Sequence, residues 1–231
     1  MAKKTYFNWS SGKDSAMALQ ALLSDKEYDV TYLLTSVNDT SGHVTMHGLR
    51  EEMLLKQFEA IGIPHGVIRL PDNPSNDDYQ RIMGEKVSWL KNQGYDAAAF
   101  GDIFLEDLKA YREQQLQPYG IAPVFPLWKR DTRSLMQNFV TNGFKAVVIC
   151  VDASKLDASY LGKVVDEAFL DSLPENVDAC GENGEFHTFC FDAPFFSHPI
   201  SYLTGKTRYS EFGGESHKNG FRYCDLTLTG K

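Results

Sequence analysis

Short apolar runs alternate with amphipathic stretches of helical period through the first 151 residues of this chain. The runs typical of strands are 5–9, 30–36, 66–70, 97–100 and 145–151. The helical patterns cover 14–23, 49–61, 77–93, 106–116 and 132–141. Because a strand, a crossing helix and a second parallel strand form one unit, this order predicts an α/β fold: a mostly parallel sheet with helices on both faces.

The character of the sequence changes after Val151. A short helical stretch, 157–170, precedes a region rich in Gly, Phe, Thr and Tyr, in which 186–192, 201–211 and 220–228 are typical of strands. Gly213-Gly214 and Asn219-Gly220 interrupt these strands, and the second pair is a strong hairpin signal. We therefore expect a sheet domain at 1–151 and a smaller C-terminal α+β portion at 152–231, packed on that domain.

The first predicted strand leads directly into residues 10–15, here called the serine loop, which open the first helix. Unpaired backbone N–H groups in a helix's first turn, together with the aligned peptide dipoles, favour an anion at this position. Small residues let phosphate oxygens approach the backbone, Lys13 supplies a cation, and Asp14 could hold a magnesium ion. The loop predicts a polyphosphate site formed by Ser10, Ser11, Gly12, Lys13, Asp14 and Ser15. The alternative is an ordinary turn whose serines cap the helix.

His47 and Arg50 follow the second predicted strand and open the second helix. An arginine at a helix start is unfavourable to the helix dipole, so Arg50 predicts an anionic partner. The alternative is a surface ion pair with Glu51 or Glu52.

Gly101 and Asp102 follow the fourth predicted strand. An aspartate in that place could hold magnesium or a ribose hydroxyl, or it could only cap the next helix. Arg112 could bind a phosphate through two hydrogen bonds. The alternative is that Arg112 and Glu113 form an exposed pair. The segment 122–128 contains two prolines and two aromatic residues, which favours a rigid apolar loop in the core or in a pocket wall.

Glu182, Glu185 and His187 lie within one short segment that also contains two glycines and an asparagine. Acids that would repel each other fit a site for a cation, an amine or ammonia. In an extended strand Glu185 and His187 face the same side, which favours a shared site. The alternative is a hairpin with exposed acids.

Composition narrows the function classes. A net charge of −8 and a pI near 5.2 disfavour broad nucleic-acid binding, which needs a basic surface. No run approaches the ~18 apolar residues of a membrane span, and Met1–Thr5 leads into the first strand, so we expect a cytoplasmic protein without a membrane partner. Cys150, Cys180, Cys190 and Cys224 lack the spacing of zinc sites and are expected to be buried free thiols.

The serine loop resembles the PP-loop of the N-type ATP pyrophosphatases, Ser-Gly-Gly-x-Asp-Ser. Together with the glutamate-rich segment it resembles one branch of that superfamily, the diphthine–ammonia ligases. The matching stretches run from the first strand to about residue 190: 10–15, 47–50, 101–102, 112–113, 126–128, 156–157, 161–163 and 181–188. Two positions depart from the family pattern, Ser11 and Asn183, which both stand where glycine is usual. If position 11 needs a positive φ, serine costs more there than glycine.

The resemblance implies a Rossmann-like (HUP-type) sheet and an ATP-dependent ligase, with ATP and Mg²⁺ as cofactors. ATP would adenylate a carboxylate, pyrophosphate would leave, and ammonia would convert the acyl-adenylate into an amide and AMP. Lys13 and magnesium on Asp14 would neutralise charge, while Glu182 and Glu185 would position or deprotonate ammonium with help from His187. The nucleotide would be bound by the serine loop together with His47, Arg50, Gly101, Asp102 and Arg112.

The acceptor implied by the resemblance is protein-borne diphthine, a modified histidine of elongation factor 2, or a small-molecule carboxylate such as a cobalamin precursor. A fused glutaminase would need either a cysteine at the mature N-terminus or an extra domain. Residue 2 is Ala2, and 231 residues leave no room for such a domain, so we expect free ammonia rather than glutamine as the nitrogen donor. A homodimer is compatible with the sequence. The alternatives are tRNA modification by the same adenylation chemistry and a non-catalytic ATP-binding regulatory module.

Overall fold

A computed structural model of the chain describes residues 1–45, 48–212 and 219–229. Within them, the N-terminal strands form one parallel sheet in the order β3-β2-β1-β4-β5. Its strands are β1 Lys3–Asn8, β2 Tyr28–Asn38, β3 His65–Leu70, β4 Ala97–Ala99 and β5 Ala122–Val124. The connecting helices are α1 Lys13–Leu23, α2 Glu51–Ile61, α3 Asn76–Asn92 and α4 Glu106–Leu116. The predicted α/β class with a parallel sheet is confirmed.

The helices cover both faces of this sheet, because the side chains of each strand alternate between two cores. On β1, Tyr6 faces a core shared with Val87 and Leu90 of α3, whereas Phe7 faces a core shared with α1 and α2. The second of these cores continues beyond α1 and α2 into the C-terminal part of the chain. Helices α1 and α2 therefore lie between the parallel sheet and a second layer.

That second layer is an antiparallel sheet of order β7-β6-β9-β8. It consists of β6 Lys145–Asp152, β7 Phe186–Asp192, β8 Tyr202–Phe212 and β9 Asn219–Leu228, and it is accompanied by α5 Thr132–Thr141 and α6 Glu167–Ser172. The prediction for 145–151 was correct as a strand but wrong as a member of the parallel sheet. A fully buried apolar strand fits either sheet, and its partners decide which one it joins. The predicted boundary at 151/152 consequently falls at the end of β6, inside the second sheet.

Three local predictions differ from the structure. The segment 122–128 is not only a loop, because Ala122–Val124 pairs with β4 as an edge strand, where a proline needs no ladder partner. The stretch 157–170 is not one helix, since it contains a 3₁₀ turn, Ala158–Tyr160, and only the first part of α6. Asn219-Gly220 begins β9 instead of forming the turn, although the predicted antiparallel pair β8–β9 is present. Gly213-Gly214 lies outside the described residues.

In the described part of the chain, no helix has both the length and the apolar character that crossing a bilayer requires. The four cysteines are free and buried, as predicted.

The order of the parallel strands determines where a ligand can bind. The chain runs from β1 outward to β2 and β3, then returns to place β4 on the other side of β1. This reversal creates a switch point between β1 and β4, and ligands of open α/β sheets bind beyond the carboxyl ends of strands at such a point. The serine loop follows β1 and Gly101-Asp102 follows β4, so both predicted groups lie there.

Candidate active site

The serine loop has a strained and incompletely paired turn. Ser11 has a φ of 74°, in the left-handed region that favours glycine. Its side chain is fully buried, and its hydroxyl Oγ has no hydrogen-bond partner among the described residues. Position 11 therefore needs a positive φ, as the departure from glycine suggested. Serine carries the steric cost of this φ and the cost of burying an unpaired hydroxyl.

Two serine hydroxyls connect the two ends of the serine loop. The Oγ atoms of Ser10 and Ser15 lie 2.6 Å apart, and the Ser10 backbone N–H donates to Ser15 Oγ at 3.1 Å. Gly12 is the N-cap of α1 and provides no side-chain cap. The Lys13 N–H donates to Thr188 Oγ1, so the part of the first turn that is left for an external acceptor begins at Asp14. The alternative of a simple serine-capped turn does not describe this geometry.

A buried glutamine fastens the loop to the antiparallel sheet. The Gln57 amide nitrogen donates to the carbonyl oxygens of Ser11, at 2.9 Å, and Cys190, at 2.7 Å. The Gln57 amide oxygen accepts from the Trp9 indole at 2.9 Å, and the Cys190 N–H donates to the Ser11 carbonyl at 2.9 Å. One side chain of α2 thus sets the position of the loop relative to β7.

Lys13 and Asp14 form a buried ion pair at the start of α1. The Lys13 ammonium, 2% exposed, donates to Asp14 Oδ2 at 2.9 Å and to the Cys180 carbonyl, and it lies 4.8 Å from the centre of the Phe186 ring. The Lys13 backbone N–H donates to Thr188 Oγ1 at 3.1 Å. Burial disfavours the ammonium, yet the carboxylates of Asp14 and Glu182 help to keep the pKa of Lys13 above its usual value. Lys13 is therefore a cation held between the two layers.

Asp14 has one oxygen left over. Its Oδ1 is buried and has no hydrogen-bond partner among the described residues. Burial raises the pKa of Asp14, while the Lys13 charge opposes this. An unpaired buried carboxylate oxygen beside an open helix start suits a divalent cation that also binds phosphate oxygens. In the described residues, no three His, Cys, Asp or Glu side chains are grouped as a metal cage, so a bound cation would need ligands from a substrate.

The Gly101-Asp102 turn packs directly on the serine loop. A Cβ at Gly101 would lie 3.1 Å from the Asp14 carbonyl carbon and from the Ser15 nitrogen, so only glycine fits without displacement. Asp102 lies 3.6 Å from Arg112 Nε, and burial raises the pKa of Asp102. The Arg112 guanidinium also lies over the Phe100 ring at 4.8 Å. Two of the predicted nucleotide ligands, Asp102 and Arg112, thus pair with each other at the edge of the loop.

The segment 178–188, here called the carboxylate segment, brings Glu182 to the same edge. Glu182 Oε1 accepts from the backbone N–H groups of Ile103, at 2.7 Å, and Phe104, at 3.4 Å. Burial, with smaller contributions from Asp14 and Asp102, raises the pKa of Glu182 to about 7. A carboxyl with this pKa can both take up and release a proton near neutral pH.

Glu185 has a different environment. It is 2% exposed, and its oxygens accept from the Asp178 N–H at 3.1 Å, the Asn183 N–H at 2.9 Å and the Asn183 side-chain amide at 3.0 Å. These donors all belong to the carboxylate segment. Glu185 therefore fixes the shape of the turn that presents Glu182.

His187 lies on β7 between Phe186 and Thr188, whose side chains both contact Lys13. Because side chains alternate along a strand, His187 points to the opposite face. Burial, followed by the Lys13 charge, lowers the pKa of His187 to about 4. The imidazole is thus neutral at physiological pH.

Arg50, another predicted nucleotide ligand, is paired with the second sheet. Arg50 pairs with Asp225 of β9, whose Oδ2 lies 3.0 Å from the guanidinium. Glu51 is instead bound by Arg69 through two hydrogen bonds of 2.7 Å. His47 lies outside the described residues.

Comparison with known families assigns the chain. The family model for the diphthamide synthase N-terminal domain matches residues 3–122, and the model for the diphthamide synthase C-terminal domain matches residues 131–219. The chain belongs to the diphthamide synthase family. The first match ends at Ala122, where β5 begins, and the second begins at Asp131, just before α5, so the change of model is close to the change from the parallel to the antiparallel sheet.

Relatives within the diphthamide synthase family carry one name. The chain is 34% identical over 157 residues to the diphthine–ammonia ligase of Bos taurus and 33% identical over 157 residues to that of Homo sapiens. Each alignment covers 62% of this chain and 59% of the relative. A diphthine–ammonia ligase of Schizosaccharomyces pombe is 30% identical over 148 residues, which is 62% of this chain but 24% of that protein. The chain thus spans about three fifths of the length of these mammalian relatives.

Among solved structures, one described as a predicted subunit of tRNA methyltransferase from Methanocaldococcus jannaschii aligns with a TM-score of 0.39. The alignment has 17% identity and covers 63% of this chain and 80% of that chain. A likeness of this size carries no argument about fold or function.

The site of this diphthamide synthase family member draws on both matched segments. The N-terminal segment supplies the serine loop and Asp102, and the C-terminal segment supplies Glu182 and Thr188. Sequence reasoning missed Gln57, Asp178 and the specific contact of Thr188. Gln57 did leave a signal, since it is a polar residue on the otherwise apolar buried side of α2. Thr188 left none, because its partner Lys13 is distant in sequence. Asp178 is different, because Cys180, Glu182 and Glu185, with which it forms hydrogen bonds, lie in the same segment.

Proposed function

We propose that this chain is an ATP-dependent ligase that adenylates the carboxylate of protein-borne diphthine and amidates it with ammonia, releasing AMP and pyrophosphate. The observation that carries the proposal is the meeting of two chemically different groups at one sheet edge. The serine loop offers an open helix start with Lys13 and Asp14, and Glu182 lies beside it with a pKa of about 7. The names of the relatives support diphthine as acceptor and ammonia as nitrogen donor.

The serine loop would bind the phosphates of ATP. Backbone amides at the start of α1 and the Ser11 hydroxyl would donate to phosphate oxygens, and Asp14 Oδ1 would hold Mg²⁺. When bound, Mg²⁺ neutralises the charge of pyrophosphate as it leaves. Lys13 would compensate the same charge from the side of the carboxylate segment, where its ammonium donates to the Cys180 carbonyl. The diphthine carboxylate attacks the α-phosphorus, and the bond to pyrophosphate breaks.

Glu182 is the best candidate for the second half of the reaction. Ammonium must lose a proton before it can attack the acyl-adenylate, and a carboxylate whose pKa is about 7 accepts that proton near neutral pH. Ammonia then attacks the acyl carbon, and the bond from that carbon to the bridging oxygen breaks. AMP leaves with the bridging oxygen, and the proton that the nitrogen loses to become the amide passes to solvent. We assign Glu185 a positioning role, because its oxygens are engaged by amides of its own turn. The neutral, opposite-facing His187 has no step in this scheme.

The test is a complete reaction with product analysis. The chain is incubated with ATP, Mg²⁺, ¹⁵N-ammonium chloride and elongation factor 2 that carries diphthine, with diphthine-free factor as the matched control. We expect AMP and pyrophosphate in step with ¹⁵N incorporation into the factor, and neither product with the control factor. Formation of ADP and phosphate would overturn the adenylation chemistry. Turnover of free carboxylates but not of the factor would replace diphthine by a small-molecule acceptor.

A further inference from the structure

A pocket with aromatic walls opens at the same switch point, on the face of the parallel sheet covered by α3 and α4. Asn8, at the end of β1, lies at one side of it, two residues before the serine loop begins. The aromatic residues that line the pocket come from the sheet, from α3, and from α4 and the turn after it: Tyr6, Phe100, Tyr79, Tyr111 and Tyr119. Nothing in the reaction scheme above uses them.

The walls of this pocket are built with close contacts. Gly84 lies inside α3, where glycine costs about 1 kcal/mol relative to alanine. A Cβ at Gly84 would lie 2.5 Å from the Tyr119 hydroxyl, so the glycine makes room for that hydroxyl. Tyr79 of α3 and Tyr111 of α4 both line the pocket, so the two helices contribute a phenol each to its walls.

The pocket has a charged end next to the serine loop. Arg112 lines it, and its guanidinium lies over the Phe100 ring. Arg112 Nε and Asp102 Oδ2 lie 3.6 Å apart, and both atoms are buried without a hydrogen-bond partner among the described residues. This pair is electrically balanced but incompletely hydrogen-bonded. A ligand with both a positive and a negative group could complete it without adding net charge.

The geometry points to a site for a quaternary ammonium group with an adjacent carboxylate. Aromatic rings around one space can attract a trimethylammonium ion, because the negative face of a ring attracts a cation that cannot donate hydrogen bonds. Phe100 already contacts Arg112 and Phe125, so the tyrosines that line the pocket would supply these faces. Arg112 would orient the carboxylate toward the serine loop through its unpaired Nε. This inference rests on the proposed function, since diphthine carries a trimethylammonium group and a carboxylate on the same carbon. It assigns the aromatic pocket as the acceptor subsite.

Binding of a small probe tests the site without turnover. N,N,N-trimethylnorvaline has the two groups of diphthine on one carbon, and 2-tert-butylpentanoate is its isostere with a neutral carbon in place of nitrogen. Calorimetric titration of the full chain with each should show the quaternary probe binding at least about tenfold more tightly. Equal affinities would overturn the proposal, and this comparison needs no variant protein.

Variants then locate the binding. Tyr111 is half-buried, so Tyr111→Leu should fold; it removes one aromatic face and should weaken trimethylnorvaline about fivefold, whereas Tyr111→Phe keeps the ring and should retain the preference. Tyr79→Leu is the second variant if Tyr111→Leu loses its circular dichroism spectrum. Loss of affinity for ATP without loss of affinity for the probe would mean that the pocket takes adenine, and would overturn the proposal. The probe titration contains no ATP, so its result does not depend on the outcome of the ligase assay. Equal affinity for the two probes would overturn the pocket assignment but not the proposed ligase activity.

Discussion

The serine loop and the carboxylate segment contact each other, but they differ in how far their polar side chains are hydrogen-bonded. The loop buries Ser11 Oγ and Asp14 Oδ1 without partners and holds Ser11 at a positive φ. In the carboxylate segment, Asp178 Oδ1 accepts from two backbone N–H groups, and so does Glu182 Oε1. Unpaired buried atoms and backbone strain persist where a ligand compensates them, whereas saturated acids stabilise a shape. The loop is therefore the part prepared for phosphate, and the segment holds the geometry that presents Glu182.

The largest effect should come from the unpaired oxygen of the loop. Asp14→Asn keeps the size of the side chain but removes the charge that would bind Mg²⁺, and we expect AMP formation to fall by about 10²- to 10³-fold. Chromatography of the nucleotide products measures this. Asp29→Asn, which changes an exposed carboxylate of β2 in the same way, is the matched control. A full rate in Asp14→Asn would remove Asp14 from the charge-neutralising role.

The carboxylate segment should respond in stability before activity. In Glu185→Gln, one side-chain oxygen becomes an amide that faces backbone donors, so we expect a loss of about 2–3 kcal/mol in the free energy of unfolding. Urea unfolding measures this loss, with exposed Glu175→Gln as control. ATP binding should persist. An unchanged free energy of unfolding combined with lost amide formation would instead give Glu185 a chemical role.

Ser11→Gly should act in the opposite direction on stability. Glycine relieves the positive φ and removes an unpaired hydroxyl, so we expect the free energy of unfolding to rise by about 1–2 kcal/mol. The same change should weaken ATP binding severalfold, because the hydroxyl is lost as a phosphate donor. The control is Ser24→Gly, at a residue with a φ of −94°, which should not stabilise the chain. A destabilised Ser11→Gly protein would show that the hydroxyl is satisfied within the protein.

The smallest expected effect is a pH dependence at Glu182. Its pKa is about 7 in the folded chain against a usual 4.5, so the folded state holds a proton that the unfolded state releases between these values. The free energy of unfolding should therefore fall as the pH rises from about 4.5 to about 7, by on the order of 1 kcal/mol after allowance for solvent screening. Glu182→Gln, which stays uncharged, should lack this slope. Parallel slopes in both proteins would place the Glu182 pKa near its ordinary value.

Much of the parallel sheet followed from the sequence because each helix shows an apolar side and each strand an apolar run. Two elements did not follow, for different reasons. Ala122–Val124 is three residues long and contains Pro123, so its strand state depends on pairing with β4. Strand β6 has the pattern of a buried strand, but which sheet buries it is decided by β7 and β9.

The candidate site also has residues that could be predicted from the sequence and contacts that could not. Residues 10–15 are recognisable because the chemistry lies within one turn of sequence, and Glu182 is recognisable by its unusual neighbours. The pairing of Asp102 with Arg112, and that of Lys13 with the Cys180 carbonyl, depend on how distant segments pack. The ion-pair partner of Arg50 could not be predicted, because Asp225 lies on the other sheet.

The apolar cluster that runs from Phe7 through α1 and α2 into β6 and β7 has a consequence for how such genes can change. Both matched segments contribute side chains to that cluster. A truncated gene product that ends near residue 130 would therefore expose the apolar side of α1 and α2 to water, and it would be prone to aggregate. Recombination that exchanges one segment between distant homologues would bring together surfaces that never co-evolved. The two segments can therefore diverge only in step, and chimaeras should be designed with α1, α2, β6 and β7 taken from one parent.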